Sequence, residues 1–374
     1  MSSIIIFIII LAVLIVVHEF GHFIVARKAG IRIDEFGLGY PPRALKLFKW
    51  KETVFTLNWL PFGGFVKIFG ENPDDESISG PQSSRSFVNK PKTHQAAVIV
   101  AGVAFNLLFA WLLISLGFMV GLPTPVSSEI GAGRVENPHL VITSVAKDSP
   151  ADEMGLKTGD VINNVSVNVS VGKDVVQTSA QNLEPETVAA FIGKNGDHKI
   201  SISYERGGES NELSIEPREG IVAGKKAIGI SMDTIGTLKL PIHKALWEGG
   251  KTTLLLTKAT VVGIAVFLFD AIRGQSDLAQ VTGPVGIVGL VGDASKLGFI
   301  YILSFTAFIS INLAVINLIP FPALDGGRLL MIIIEAIKRS PINPKIANGV
   351  NFVGFALLIL LMIVVTAHDI VRLF

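Results

Sequence analysis

The chain has 374 residues, a formal net charge of +1 and 49% hydrophobic residues. Its mean hydropathy of +0.55 is too high for an ordinary soluble protein and predicts membrane-spanning segments. A charge near zero argues against a nucleic acid as partner. Because the chain lacks cysteine, a disulfide framework and a thiolate metal site are both excluded.

The first apolar run extends from Ile4 to Ala26 and contains three ionisable residues, His18, Glu19 and His22. Ionisable groups within a membrane segment usually face a protein interior or a cavity and mark a functional site. Residues at i and i+4 project from one face of a helix, so both histidines can reach a single metal ion. The adjacent glutamate would face the same cavity without being a ligand. The alternative is a buried polar cluster that joins transmembrane helices by hydrogen bonds.

Stretches of about 20 predominantly apolar residues predict spanning helices. Four stretches qualify or nearly qualify, and they comprise residues 4–26, 96–120, 299–319 and 350–367. A fifth apolar run, residues 252–271, carries Lys258 and Asp270, and we expect it to lie at the interface or against the helix bundle. Basic residues concentrate between the first two and between the last two spans, so the positive-inside rule places both links in the cytoplasm. The N-terminus and the long central segment are expected outside.

The central segment has the composition of a soluble domain from residue 128 to 235, with polar alternation and turns rich in glycine, asparagine and aspartate. Within it, Ser149-Pro-Ala-Asp-Glu-Met-Gly-Leu-Lys-Thr-Gly-Asp-Val-Ile resembles the SPAxxAGLxxGDxI signature of bacterial PDZ domains. Ile228, Gly229 and Ile230 resemble the carboxylate-binding loop and edge strand of such a domain. The resemblance implies a groove that takes a peptide C-terminus as an added strand. The alternative is a spacer domain that limits access to the membrane region sterically.

The end of the third span offers a further metal ligand. A catalytic zinc site needs three protein ligands and one open position, and the N-terminal helix supplies two. The chain there reads Asn317-Leu-Ile-Pro-Phe-Pro-Ala-Leu-Asp325-Gly-Gly, in which two prolines break the helix before the aspartate. Asp325 is the predicted third ligand. Its alternative role is to cap a helix that begins at Gly326, although the glycine pair favours a close backbone approach.

Taken together, these motifs resemble the bacterial branch of the site-2 protease family of intramembrane zinc metalloproteases. Segments that resemble family motifs occur along almost the whole chain. They are HEFGH at 18–22, FGGFVK at 62–67, RSFVNKP at 85–91, AGVAFN at 101–106, GPVGI at 283–287 and NLIPFPALDGG at 317–327. Two positions depart from the family pattern, Val103 in place of proline and His94-Gln95 in place of a Gln-Arg pair. One PDZ domain is predicted here, whereas some relatives carry two.

The resemblance implies a zinc endopeptidase that cuts membrane-anchored proteins within or near the bilayer. Zn²⁺ held by His18, His22 and Asp325 would make hydroxide available at neutral pH, and Glu19 would act as the general base. Asn317 is the candidate donor to the oxyanion, with a helix-helix hydrogen bond as its alternative role.

A transmembrane substrate must unwind before a peptide bond can be attacked. Residues 54–68 alternate on both sides of a Pro and Gly turn, which predicts a hairpin between the first two spans. The resemblance implies that its edge, with Gly63, Gly64 and Phe65, pairs with the unwound substrate. An ordinary cytoplasmic hairpin is the alternative.

The expected fold is a polytopic α-helical membrane protein with four transmembrane helices, a membrane-associated β-hairpin region and an extracytoplasmic α+β PDZ domain. The expected regions are the first span at 1–27, the β region at 28–94, the second span at 95–121, the PDZ domain at 128–235, a linker with the membrane-associated helix at 243–292, the third span at 295–328 and the fourth at 348–372. The resemblance implies the bacterial inner membrane, with the active site toward the cytoplasm. It further implies single-span membrane substrates, such as anti-sigma factors or remnant signal peptides.

Two other classes of function remain open from the residues alone. A metal transporter or sensor would use His18, His22 and Asp325 as a transient site and would show metal flux without proteolysis. A non-catalytic membrane scaffold would gather partners through its PDZ domain, and the intact Glu19 and Asp325 argue against it.

Overall fold

The computed structural model describes residues 2–371, except 73, 132, 172–173, 181, 223–224 and 276–281. The chain forms two compact units, one made of Met1–Ser115 with Gly249–Phe374 and the other of Leu116–Glu248. The helices of the first unit, two of which extend into the second, are α1 Ser2–Lys28, α2 Asp75–Ser79, α3 Lys92–Val120, α6 Ile242–Ile272, α7 Pro284–Leu297, α8 Phe299–Leu318, α9 Asp325–Lys338 and α10 Pro344–Val371. A 3-10 turn at Ser83–Arg85 precedes α3.

Five helices of the described chain are long and apolar enough to cross a membrane, namely α1, α3, α6, α8 and α10. Four of them contain the predicted spans. The fifth, α6, contains the run 252–271 that was predicted at the interface, and its length and composition alone would also allow it to span. The predicted linker at 243–292 holds α6 and the first part of α7.

Glycine residues allow α1 and α3 to pack closely in antiparallel directions. Gly21 lies so near the carbonyl oxygen of Ala101 that a side chain there would overlap it. Gly102 lies equally close to ring atoms of His18 and His22. Small residues of this kind let helix backbones approach within a membrane. The packing brings the ionisable residues of α1 against the middle of α3.

The β region consists of two long strands, β1 Ile33–Trp50 and β2 Thr53–Ile68. Residues 35–38 of β1 pair with 64–67 on one side and with 54–57 on the other. Both arms of the predicted hairpin are therefore strands, but β1 lies between them. The predicted pairing within 54–68 is wrong because the first half of β1, which was not predicted, occupies the position between the two arms.

An apolar core joins the β region to the helices that carry the site. Phe23 of α1 is buried, and its ring centroid lies 5.7 Å from that of Phe36 and 5.8 Å from that of Phe55. Ile332 of α9 belongs to the same buried cluster. Within a membrane these side chains are stabilised by van der Waals contact, in which each close pair of atoms contributes about 0.1–0.2 kcal/mol. The core thus fixes α1, the β region and α9 to one another.

The second unit is a sheet packed around its own core. Its elements are β3 Leu122–Pro125, β4 Glu136–Val145, α4 Pro150–Glu153, β5 Val161–Val171, β6 Asp174–Ser179, α5 Pro185–Lys194, β7 Ile200–Arg206, β8 Glu209–Ile215, β9 Arg218–Val222, β10 Lys225–Ala227 and β11 Ile230–Leu238. The strand order is β3-β11-β4-β5-β7-β8, with β6 on β5 and a separate β9–β10 pair. Ile142, Val165, Ile200 and Ile202 are fully buried in the core.

The Gly-Asp pair of the signature segment has a structural role in this unit. Asp160 is buried, and its carboxylate accepts hydrogen bonds from Arg206 Nε at 2.6 Å and Nη2 at 2.7 Å. It also accepts from the backbone N–H of Lys157 over 2.8 Å. Ser149 caps α4 through a bond from the N–H of Asp152. These bonds hold the turns on either side of α4.

Candidate active site

Three ligand atoms from two distant segments meet beside α3. The Nε2 atoms of His18 and His22 lie 3.2 Å apart, and Oδ2 of Asp325 lies 3.1 Å from the first and 3.3 Å from the second. Both imidazoles are buried. Ligand atoms bound tetrahedrally to zinc at about 2.0–2.1 Å lie roughly 3.3 Å from one another. The spacing of the three atoms therefore fits a zinc ion.

The hydrogen bond of His22 leaves its Nε2 atom available to a metal. Nδ1 of His22 lies 2.8 Å from the carbonyl oxygen of Val98, and because a carbonyl only accepts, the ring proton is on Nδ1. Nε2 then presents a lone pair toward Oδ2 of Asp325, a buried oxygen without a hydrogen-bond donor among the described residues. Electron pairs that face each other this closely repel unless a cation lies between them. The chemistry of the donor set therefore also fits a metal ion.

Asp325 reaches the imidazoles from the first turn of α9. The helix begins at Asp325 itself, with Leu324 as its N-cap residue, and the carboxylate lies against the histidines. The alternative role of Asp325, a cap for a helix that begins at Gly326, does not occur. Gly326 and Gly327 lie against backbone carbonyl groups of the preceding turn, where side chains would overlap them. The glycine pair thus provides the close backbone approach that its sequence predicts.

Glu19 lies one residue after His18 and therefore about 100° further around α1. Its side chain is half-buried and lies within electrostatic range of both histidines and of Asp325. Its Cγ atom lies 3.4 Å from the position that a Cβ atom would take on Gly64 of β2. The carboxylate is thus placed between the three ligand atoms and the edge of the β region.

The sequence matches known proteins over nearly its whole length. Residues 6–361 match peptidase family M50. The chain belongs to peptidase family M50, the site-2 protease family. It is a zinc metalloprotease of the site-2 type, and its long apolar helices agree with a multi-pass inner-membrane protein. An enzyme is therefore favoured over the metal transporter or sensor and over the non-catalytic scaffold.

Three relatives of this M50 peptidase align along its full length. The regulator of sigma-W protease RasP of Bacillus subtilis is 29% identical over an alignment of 450 residues, gaps included, which covers 100% of this chain and 99% of the relative. The zinc metalloprotease RasP of Oceanobacillus iheyensis is 27% identical over 461 residues, which cover 100% of both chains. The protein CPE1693 of Clostridium perfringens is 35% identical over 369 residues, which cover 96% of this chain and 95% of the relative.

One face of α3 surrounds the two imidazoles, and sequence reasoning assigned it no role. Val98, Gly102 and Asn106 follow one another at intervals of four residues, so they share this face. Val98 supplies its carbonyl to His22, Gly102 leaves room for both rings, and Asn106 lies 3.1 Å from Nδ1 of His18. Asn106 ends the AGVAFN segment that resembles a family motif, and it is a polar side chain inside an apolar span, so the sequence carried two signals for it.

Asn317 lies on α8 and is half-buried. It follows Ser310 by seven residues, or about two turns, and therefore shares its face of the helix. Ser310 donates a hydrogen bond to the backbone carbonyl of Asn106 over 2.8 Å. Asn317 is thus on the side of α8 that meets α3, at the end that leads to Asp325.

Gly63, Gly64 and Phe65 lie where β2 passes α1. A side chain at Gly64 would overlap Ile15, and one at Gly63 would overlap the ring of Tyr40. Gly64 of the segment predicted to meet substrate therefore lies next to the HExxH helix.

In the second unit, Ile228, Gly229 and Ile230 line a groove of about 500 Å³ between α5 and the β10–β11 segment. Its floor is apolar and includes Met232, while lysine side chains border it. β4 pairs with β11 from Ile230 to Thr237, whereas β3 covers β11 only at 235–238. Within the described chain, the outer side of residues 230–233 therefore has no strand partner.

We expect Gly102→Ala to remove the metal from the M50 peptidase. The added methyl group would overlap ring atoms of His18 and His22, so the imidazoles could no longer lie side by side. Metal analysis of the purified protein would show a loss of zinc relative to the wild type. Gly263→Ala in α6 is the matched control, because its Cβ atom would meet nothing within 4 Å. Wild-type zinc content in Gly102→Ala would contradict the assignment of this face.

Proposed function

We propose that this M50 peptidase hydrolyses a peptide bond of a membrane-anchored protein at a zinc centre held by His18, His22 and Asp325, with Glu19 as general base. The observation that carries the proposal is the convergence of three electron-pair donors at the spacing of a tetrahedral metal site. When bound, zinc supplies Lewis acidity, which lowers the pKa of water and polarises a carbonyl group. The three side chains fill three coordination positions and leave one for the reactants.

Glu19 performs the proton transfers of this reaction. It accepts a proton from the attacking water and delivers it to the leaving amide nitrogen. Its place beside the ligand atoms puts both positions within reach of one carboxylate. Asn317, on the α3 side of α8, is the candidate donor to the oxygen that develops negative charge.

The edge of β2 holds the substrate in an extended form. Backbone groups in lipid must be satisfied within the protein, so an unwound substrate needs hydrogen-bond partners. Residues 64–68 pair with β1 on one side, and their other side lies along α1 near Glu19. We infer that Gly63, Gly64 and Phe65 pair with the substrate here as an added strand.

α6 lies at the outer surface of the membrane and does not cross it. Its residue Gly249 packs on Ser115 near the end of α3, and α7 packs on the N-terminal half of α1 through Val291 with Ile10 and Leu14. Because α1 and α3 are antiparallel, both contacts are on the same side. Eleven residues separate α6 from α7, and a helix that crossed back would need about 20.

The second unit captures peptides in its groove. An apolar floor suits a hydrophobic side chain, and Lys194 and Lys225 at the border attract a terminal carboxylate, whereas Lys226 is paired with Asp197 over 2.7 Å. The uncovered edge at residues 230–233 offers main-chain groups for strand addition. These features, with the signature segment, favour a PDZ domain that binds peptide C-termini over a spacer domain.

Single-span membrane proteins are the proposed substrates. The name of the Bacillus subtilis relative refers to regulation of sigma-W. This supports anti-sigma factors as one substrate class, and the family resemblance implies remnant signal peptides as another. Positive charges after α1 and after α9 support a centre toward the cytoplasmic side of the bacterial inner membrane.

Glu19→Gln should abolish most proteolysis while zinc stays bound. The amide cannot accept the water proton, and loss of general acid-base catalysis lowers kcat by about 10²–10⁴-fold. Cleavage of a model single-span substrate and zinc content would be measured on the same preparation. His18→Ala serves as the comparison, since it should lose metal and activity together. Turnover at the wild-type rate by pure Glu19→Gln would refute the role of this residue.

Arg273→Cys should react from outside the cell if α6 stays at the outer surface. The chain has no native cysteine, so an impermeant maleimide reports one position at a time. Lys49→Cys in the β region is the control and should react only after permeabilisation. Protection of the Arg273→Cys thiol in intact cells would show that α6 crosses the membrane.

Ala189→Trp should block the groove, because Ala189 lines it from α5. We expect a peptide with an apolar C-terminal residue to bind at least tenfold more weakly, as measured by fluorescence polarisation. A loss of about 1.4 kcal/mol of binding free energy corresponds to a tenfold increase in Kd. Asn211→Trp on exposed β8 is the control and should bind normally. Unchanged binding by Ala189→Trp, or no binding by the wild type, would favour the spacer role.

A further inference from the structure

Asn106 of α3 contacts Nδ1 of His18, just as the carbonyl of Val98 contacts Nδ1 of His22. Its side chain is fully buried in α3, and its amide nitrogen lies 3.1 Å from Nδ1 of His18. Its amide oxygen is also buried and has no hydrogen-bond partner among the described residues. The hydroxyl of Ser310 donates to its backbone carbonyl, which anchors the residue between α3 and α8. A buried amide oxygen without a partner is costly and calls for an explanation.

The two ends of the amide have opposite effects on the imidazole. When the amide nitrogen donates to Nδ1 of His18, the ring proton is on Nε2, where it covers the lone pair that a metal needs. When the amide oxygen faces Nδ1, it accepts the Nδ1 proton and Nε2 is bare. Oxygen and nitrogen are similar in size, so rotating the amide by 180° exchanges them within the same packing.

We propose that Asn106 is a positioning residue for the zinc centre, whose amide oxygen accepts the Nδ1 proton of His18 and so keeps Nε2 of that ring free for the metal. This rests on the metal-binding role proposed for His18, His22 and Asp325. The rotated amide also gives its oxygen the partner that it lacks. Val98 and Asn106 then hold the two histidines in the same tautomer through oxygen atoms eight residues apart on α3.

The two histidines differ in how firmly that tautomer is set. The carbonyl of Val98 can only accept a hydrogen bond, so the proton of the neutral His22 ring stays on Nδ1 and Nε2 is free to bind a metal. The amide of Asn106 can serve either tautomer, so His18 becomes a ligand only when the oxygen is turned toward it. Partners of metal-ligating histidines typically contribute about 10–100-fold to metal affinity. The affinity of the centre should therefore depend on Asn106.

The rate of zinc release into a chelator, measured on the purified full chain, tests the proposal. Asn106→Leu preserves the size of the side chain but removes the acceptor, so zinc affinity should fall about 10–100-fold. Asn106→Asp offers an oxygen acceptor of the same shape, so zinc retention close to that of the wild type is expected. Asn312→Leu on α8 is the matched control, because the hydrogen bond that the amide of Asn312 makes among the described residues goes to the backbone carbonyl of Phe308 in its own helix.

Excess zinc should restore cleavage by Asn106→Leu, since Glu19 is intact in that variant. Zinc retention by Asn106→Leu equal to that of the wild type would overturn the proposal, as would a loss of zinc in Asn106→Asp as large as in Asn106→Leu. If Asn106→Leu does not accumulate in membranes, Asn106→Ala carries the same expectation.

The wild type and His18→Ala separate this inference from the proposed function. If the wild type retains zinc and His18→Ala loses it, the metal centre is supported. Zinc retention by the Asn106 variants then decides the inference about Asn106. A wild type that retains no zinc overturns the metal centre itself, and the inference about Asn106 with it.

Discussion

The antiparallel packing of α1 against α3 is the contact on which the site depends. Hydrocarbon offers no water to two imidazoles and a carboxylate, so each polar atom needs a partner within the protein. Glycine at 21 and 102 lets the helices approach until α3 can reach the outer nitrogen of each ring. With those nitrogens engaged, the inner nitrogen atoms are left facing Asp325. In the tautomers proposed above, the close packing would thus create a cluster of lone pairs that a cation stabilises.

The third ligand requires a second set of restraints, since Asp325 arrives from far along the chain. Arg328, one turn after it, forms an ion pair with Glu71 and also donates to its backbone carbonyl over 3.0 Å. Near the other end of α9, Glu335 pairs with Lys92 at the start of α3 at 2.5 Å. Partly buried pairs of this kind interact more strongly than pairs in bulk water. They tie α9 at both ends to the segments that flank the β region and α3.

Much of the site could be predicted because ionisable residues in apolar spans are rare and their spacing is informative. The supporting face of α3 could not, since Val98 acts through its backbone and Gly102 through the absence of a side chain. Neither contribution has a chemical signature in the sequence. The helices that hold the four predicted spans were expected from length and composition. β1 lies in the predicted β region at 28–94 but was not assigned as a strand, because Gly37, Gly39 and two prolines interrupt its alternation. That strand then changed the pairing of the predicted hairpin.

The order of residues in the HExxH segment also sets where Glu19 lies relative to the two histidines. Residues four apart share a face, so both histidines are turned toward α3, while Glu19 lies about 100° around the helix. That rotation points the glutamate toward Gly64 and the edge of β2. Under the proposed function, a substrate strand beside Gly64 would lie next to the general base. The proposed metal ligands and the proposed base would then occupy adjacent faces of α1, about 100° apart.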